Sequence, residues 1–238
     1  MKPKLYALFL SILLSAPSAF GSCAVPDVKA NAEFFKMDVV FTGKVLSENY
    51  RDIDDDHSAW FYRVSVSQVF KGPAQKEITV DTEDDSNRFP LEVGSEYLLF
   101  AYRRHGRLEI EDCGNSALLS GAAKSIQEIQ SIATAHDAEI EGWLVEETTG
   151  VDLSGIHVAI RGGSRIFASI TDEEGYFHFR APAGRYKVDF SNREYYLNAA
   201  DVFWYNPKGF RLNVGESAAL QLVSVRHPKK KTEGAPIR

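Results

Sequence analysis

The sequence predicts a mainly β chain that is exported and built from two domains. Three observations carry that reading. Val, Phe and Tyr are abundant with Gly scattered among them, 15 Phe, 10 Tyr and 17 Gly in 238 residues, which suits strands joined by tight turns. Two runs of alternating apolar and polar residues each have their own turn series, and a short polar join at 136–139 divides them. The amino terminus has the three regions of a cleavable export signal.

In that signal Lys2 and Lys4 form the basic start, Leu5 to Leu14 an apolar run too short to span a bilayer comfortably, and Ser15 to Ser22 a small-residue segment with Pro17. Ala19 and Gly21 place cleavage after Gly21, so residues 1–21 are read as signal peptide, with Ser22 first and Cys23 second in the mature chain. Cleavage after Ala19 is the alternative. Phe20-Gly21-Ser22-Cys23 also approaches a lipoprotein site, although an aliphatic residue such as Leu usually stands three before the cysteine. No later stretch reaches the ~18 uninterrupted apolar residues of a span, so no transmembrane span is expected. The expected location is secreted or periplasmic.

The formal charge is −6, and loss of the two lysine charges of the signal makes it −8, which argues against a nucleic-acid partner. The two cysteines, Cys23 and Cys113, would meet an oxidising compartment, where a disulfide is the default reading. Two cysteines alone make no structural zinc site, and there is no Cys-x-x-Cys pair.

In the first domain, 22–135, Val28, Ala32, Phe34 and Phe35 near helical spacing predict a helix over 27–37 capped by Asp27. A strand over 38–46 follows, with Gly43 marking a bulge or bend. Trp60, Tyr62, Val64 and Val66 alternate with Phe61, Arg63, Ser65 and Ser67 as a half-buried strand, and Gly72-Pro73 turns the chain. Strands are expected at 77–82, 97–102 and 107–112, with Gly94 and Gly106 in turns. Leu119, Ala123, Ile126, Ile129, Ile132 and Ala133 share one helical face that begins near Ser120, a candidate cap. Two acidic stretches, Asp52 to His57 and Asp81 to Asp85, lack the glycine and glutamate of an EF-hand and are read as solvated hairpin tips. The scattered histidines form no catalytic-zinc pattern, and no metal or cofactor is expected.

A cysteine near the mature N-terminus, Val39-Val40-Phe41-Thr42-Gly43-Lys44-Val45, Val69-Phe70-Lys71-Gly72, Val93-Gly94 with Tyr97-Leu98-Leu99-Phe100-Ala101, and Cys113 before a helix follow in order. Together they resemble the netrin-like module of tissue inhibitors of metalloproteinases in its bacterial form. The resemblance implies an OB-type five-stranded barrel with flanking helices and pairs Cys23 with Cys113. Such a bridge closes about ninety residues, worth on the order of 4 kcal/mol in the loop-entropy account. Family inhibitors ligate a protease zinc through an N-terminal cysteine. Gly21-Ser22-Cys23 stands where Cys-x-Cys is expected, so inhibition through the terminus at Ser22 and Cys23 is an alternative function, not the first.

The second domain, 139–225, opens on a strand at 140–145 and has turns around Gly150, Gly162-Gly163, Gly175 and Gly184 at the intervals of a sandwich. Ile156, Val158 and Ile160 alternate with His157, Ala159 and Arg161, and 176–179 and 186–190 alternate in the same way. Gly142 with Val145, Leu153-Ser154-Gly155-Ile156, Thr171-Asp172-Glu173-Glu174-Gly175-Tyr176-Phe177 and Pro182-Ala183-Gly184 with Tyr186 and Val188 resemble the carboxypeptidase regulatory-like domain. This resemblance implies a seven-stranded, transthyretin-like β-sandwich serving as an accessory module. Asp172 is read as a turn residue with Gly175 at positive φ rather than as a calcium ligand. Gly215-Glu216-Ser217-Ala218-Ala219 approaches a nucleophile elbow but lacks its last glycine, and is read as a hairpin turn. Tyr195, Tyr196, Trp204 and Tyr205, interleaved with Asn198 and Asn206, form a candidate ligand surface for a carbohydrate. Residues 226–238 read as a basic disordered tail.

No motif arranges a nucleophile, a base and an orienting acid, so the chain is expected not to be an enzyme. The first expectation is an exported accessory protein of the envelope or extracellular space with a protein or glycan partner. The polar join is expected to couple two independently folding units loosely.

Overall fold

The computed structural model describes residues 28–54, 57–86, 88–190, 192, 194–198 and 209–227. Residues 1–21, Ser22, Cys23, the Asp27 cap, Trp204, Tyr205 and the tail beyond His227 lie outside the described residues. The architecture is mainly β, with several sheets and two short helices.

The first unit comprises α1 (Ala30–Lys36), β1 (Val39–Asp52), β2 (Ser58–Lys71), β3 (Glu77–Glu83), β4 (Glu96–Arg104), β5 (Arg107–Glu109), β6 (Ala117–Leu118) and α2 (Ala123–Ser131). β1 pairs antiparallel with β2 on one side and β4 on the other, β2 with β3, and β4 with β5. β3 meets β5 in parallel at Asp81 and Glu109, so the pairings run in a closed circuit β1-β2-β3-β5-β4-β1, with β6 attached to β4. Gly43 permits the bend that this needs. The β1–β2 register shifts between Thr42 and Gly43, and a Cβ on Gly43 would lie 2.5 Å from the Ser65 carbonyl oxygen.

Alternation then sorts the side chains into two layers. Phe41, Val45, Tyr62, Val64, Val80 and Leu99 point into the circuit. Val40, Leu98 and Phe100 point outward against Ala30, Met37, Ala122 and Ile129 of the helical segments. β4 is covered on both faces, which is why Leu98-Leu99-Phe100-Ala101 is a continuous apolar run rather than an alternating one.

Lys29 stands at the N-cap of α1 and Ala122 at that of α2, and neither side chain caps its helix. The Ala30 N–H donates to Glu128 Oε2 at 2.7 Å, so α2 caps α1. The single helix expected from Ser120 is broken into a 3-10 turn at Leu119–Gly121, α2, and a second 3-10 turn at Ile132–Thr134.

The second unit comprises β7 (Ala138–Glu146), β8 (His157–Gly162), β9 (Arg165–Ile170), β10 (Tyr176–Ala181), β11 (Gly184–Asp189), β12 (Tyr195–Asn198), β13 (Phe210–Leu212) and β14 (Ser217–Arg226). They form two four-stranded sheets, β10-β7-β14-β12 and β13-β11-β8-β9, with β14 parallel to β7. The described residues thus carry eight strands where seven were expected. Arg226 ends β14 instead of opening a tail. One apolar core lies between the sheets, including Ile140, Leu144, Val158, Ile160, Phe177 and Leu220. The expected turn is present: Asp172 Oδ1 accepts from the N–H groups of Glu174 at 3.0 Å and Tyr176 at 2.9 Å, with Gly175 at φ +70°.

Candidate functional site

The polar residues that converge from farthest apart in sequence do so where the two units meet. α1 offers Asn31 and Lys36, and the turn from β13 to β14 offers Gly215 and Glu216. Asn31 Nδ2 donates to the Gly215 carbonyl at 3.1 Å, and Lys36 Nζ lies 3.5 Å from Glu216 Oε1. Glu216 is fully buried, and its Oε2 accepts from the Asn213 N–H at 2.8 Å and from Asn213 Nδ2 at 2.6 Å. Gly215 has φ +78°, donates its N–H to the Asp137 carbonyl at 3.1 Å, and packs so closely that an added Cβ would lie 2.9 Å from Ile132 Cα. The hairpin expected at 215–219 is not formed: the chain turns at Val214 and Gly215, but β13 and β14 belong to different sheets and 217–219 lie within β14. Ser217 is buried within β14, so the segment presents no accessible nucleophile.

A second set of charges joins the units beside the first. Lys29 Nζ lies 3.0 Å from Glu141 Oε2 and 3.4 Å from Glu139 Oε2, and Arg180 Nη2 lies 2.7 Å from Glu139 Oε1. Burial works against the Lys29 ammonium, but hydrogen bonding and attraction from Glu141 and Glu139 outweigh it and hold its pKa above the ordinary value. Burial likewise works against a charged Glu139, and the bonds from Arg180 and Lys29 outweigh it, so that carboxyl sits below its usual range. A cleft of about 380 Å³ opens beside these groups, lined by Asn31, Ser131, His136, Asp137, Glu139 and Arg180. The join is therefore pinned by hydrogen bonds and ion pairs, against the expectation of loose coupling.

Two further clusters use buried acids. Glu33, on α1, accepts from the Asn115 N–H at 2.6 Å and Asn115 Nδ2 at 2.7 Å, while Asn115 Nδ2 also reaches the Val28 carbonyl at 2.8 Å. Burial raises the Glu33 pKa, and the two Asn115 bonds only partly offset it. Cys113, next to this tether, is not a free thiol. Cys23, the partner that the resemblance implies, lies outside the described residues. On the outer side of the strand circuit Asp81 and Glu109 are buried, against the expectation that the stretch 81–85 is a solvated tip. Arg107 Nε lies 3.5 Å from Asp81 Oδ2 and Arg104 Nη1 lies 3.3 Å from Glu109 Oε1; burial raises both carboxyl pKa values against this attraction. β3 carries Asp81 beneath the arginines, and only Asp84 and Asp85 reach the exposed turn. In the other acidic stretch His57 Nδ1 meets Asp54 Oδ1 at 2.7 Å on the exposed hairpin tip, as expected.

The aromatic surface does not assemble as expected. Tyr195 is buried in the sandwich core, its ring under Arg226 and its hydroxyl accepting from Arg226 Nη2 at 2.6 Å. Strand alternation sends its neighbour Tyr196 outward, where it packs on His227 with ring centroids 5.1 Å apart. Adjacent residues of one strand cannot share one platform, so the Tyr195–Tyr196 pairing is withdrawn. Among the described residues no group of three or more His, Cys, Asp or Glu side chains is placed to hold a metal ion. None of the helices among them is long and apolar enough to cross a membrane. Sequence reasoning missed the junction, because no local pattern marks Asn31, Lys36 and Glu216 as neighbours. The only local hint was the glycine before Glu216.

No family model matches the chain, and none of the curated proteins matches it. Among solved structures the chain is similar to GBS52, the minor pilin of Streptococcus agalactiae, at 11% identity and TM-score 0.31, over 85% of this chain and 87% of that one. It is similar to the Bacillus anthracis TIE protein at 13% identity and TM-score 0.31, over 79% of this chain and 41% of the other. It is also similar to the shaft pilin spaA from Lactobacillus rhamnosus GG (E139A mutant), at 8% identity and TM-score 0.27, over 88% and 94%. Likenesses this distant carry no functional argument.

Proposed function

We propose that the chain is an exported, non-catalytic interaction protein of the cell envelope or extracellular space, a netrin-like OB-type barrel followed by a carboxypeptidase regulatory-like sandwich. The closed circuit of strand pairings supports the barrel, and two sheets around one core support the sandwich. The observation that carries the functional reading is the use made of buried acids. Glu33 tethers a loop, Glu216 joins the units, and Asp81 and Glu109 lie under arginines. Each is engaged in holding the fold rather than set beside a nucleophile in a cleft. A Cys23–Cys113 disulfide belongs to this reading. Asn115, two residues after Cys113, holds the Val28 carbonyl, and the five residues from Cys23 to Val28 reach at most about 18 Å.

The test is to express the full chain in a bacterial host and recover it by fraction. The expected product is found outside the cytoplasm, begins at Ser22 and shows no reactive thiol when unfolded without reductant. Uncleaved cytoplasmic chain with two reactive thiols would end the reading.

A further inference from the structure

We propose that the chain forms a two-fold dimer by antiparallel pairing of β9 with the β9 of a second copy. β9 is the last strand of the β13-β11-β8-β9 sheet, and among the described residues it pairs with β8 alone, so its other side is open. The phase of the strand is set at its end, where the Thr171 N–H donates to the Ile156 carbonyl at 3.0 Å. Backbone groups alternate sides along an antiparallel pair, and the β8–β9 register runs without a shift. Phe167 and Ser169 therefore bond to β8, while Ile166, Ala168 and Ile170 turn their N–H and C=O groups to the open side. Side chains alternate as well. Phe167 packs on the sandwich core, which places Ile166, Ala168 and Ile170 on the outer face. The two isoleucines are 52% and 55% exposed.

Edge strands are ordinarily guarded by charge, proline or a bulge. β10, an edge of the other sheet, follows that rule by exposing His178 and Arg180. β9 exposes apolar groups instead, and their order selects a second copy as the occupant. Ile166-Phe167-Ala168-Ser169-Ile170 reads Ile-x-Ala-x-Ile in either direction. A two-fold axis through Ala168 sets Ile166 opposite Ile170 of the second copy, twice, and Ala168 opposite itself, with the outward backbone groups of all three in phase to bond. The same register brings the exposed Arg165 of each copy opposite Thr171 of the other, beside the exposed acidic turn Asp172-Glu173-Glu174. Parallel pairing would place Arg165 beside Arg165, and a slip of one residue would put the isoleucines on opposite faces. The contact uses up β9 in each copy, so it stops at two. Six residues make a small interface, so association of micromolar strength is expected.

This inference deepens the interaction reading by naming a second copy as one partner. The test is sedimentation equilibrium of the purified chain beginning at Ser22, over a concentration series. A reversible monomer–dimer equilibrium is expected, weakened about tenfold or more by the edge charges of Ile166→Lys/Ile170→Lys. Ala168→Pro should weaken it as well, because an edge strand tolerates proline where the N–H faces away from its ladder. Arg165→Glu alone and Glu173→Lys/Glu174→Lys alone should each weaken it, and the three substitutions together should restore it. Melting points are read at a concentration where the wild type is monomeric, and each variant should melt with it. A chain that stays monomeric at every concentration, a dimer indifferent to the isoleucine substitutions, assemblies larger than two, or a charge swap that fails to restore pairing would each overturn the proposal. So would a lowered melting point for Ala168→Pro, which would put its N–H on the β8 side. An exported chain that is monomeric sinks this inference alone, whereas a cytoplasmic, uncleaved chain that still dimerises sinks the functional reading alone.

Discussion

Glu33 illustrates how a single carboxylate is used here. It sits on a seven-residue helix whose own cap comes from α2, and it ties the loop after Cys113 to the start of the described chain. Burial disfavours its charge more than the Asn115 bonds favour it, so its folded pKa lies above the unfolded one. A raised carboxyl pKa means the native state holds the proton more tightly. Its contribution is therefore fully present below the unfolded pKa, near 4.5, and is lost as pH rises through the folded value. Glu33→Gln keeps an acceptor for Asn115 without the charge. Wild type should accordingly lose ground relative to Glu33→Gln as pH goes from 4 to 7, measured by urea unfolding at each pH. A difference that is flat, or that moves the other way, would mean the carboxylate is better solvated than its burial indicates.

At the scale of elements, strand periodicity was the legible part of the sequence. The alternation in β2, β8 and β10 predicts which residues are buried, and Gly43 predicts the irregularity in β1. What failed was anything set by a neighbour distant in the chain. The caps expected at Asp27 and Ser120 are local devices, whereas Glu128, nearly one hundred positions away, caps α1. Tyr195 and Tyr196 look alike in sequence, and only the pairing of β12 with β14 decides which one faces the core. The parallel pairing of β14 with β7 is likewise unreadable from either strand, yet it leaves a mark at Gly142. A Cβ there would lie 2.0 Å from the Leu220 carbonyl oxygen and 2.7 Å from Phe177 Cζ. Gly142→Ala should cost on the order of 1–3 kcal/mol by overpacking, lowering the melting point by roughly 2–4 °C per kcal/mol. Gly121→Ala, where a Cβ meets nothing within 4 Å, is the control and should melt with wild type. Equal melting points for the two variants would reject the close β7–β14 approach.

On the scale of the whole molecule the apolar cores are separate and the contact between them is polar. No residue of the sandwich core belongs to either core of the first unit. Without the junction the two would tumble as linked bodies, which is what the polar composition of 136–139 suggests by itself. Glu216 changes that expectation, because a fully buried carboxylate bonded to Asn213 within one unit and facing Lys36 of the other makes the relative placement of the units cost something to alter. Removing one member of a buried charged pair typically costs about 3–5 kcal/mol. Glu216→Ala should therefore destabilise the sandwich and also release it. Calorimetry should show the transitions of the two units drawing apart relative to wild type, and the NMR rotational correlation times of the units should diverge. Lys36→Ala leaves the buried Glu216 carboxylate without that opposite charge, so it should lower the sandwich transition as well as free the relative motion. If Glu216→Ala lowers stability but both units still share one correlation time, the carboxylate serves only the β13–β14 turn, and Asn31 with the Lys29 ion pairs holds the junction instead.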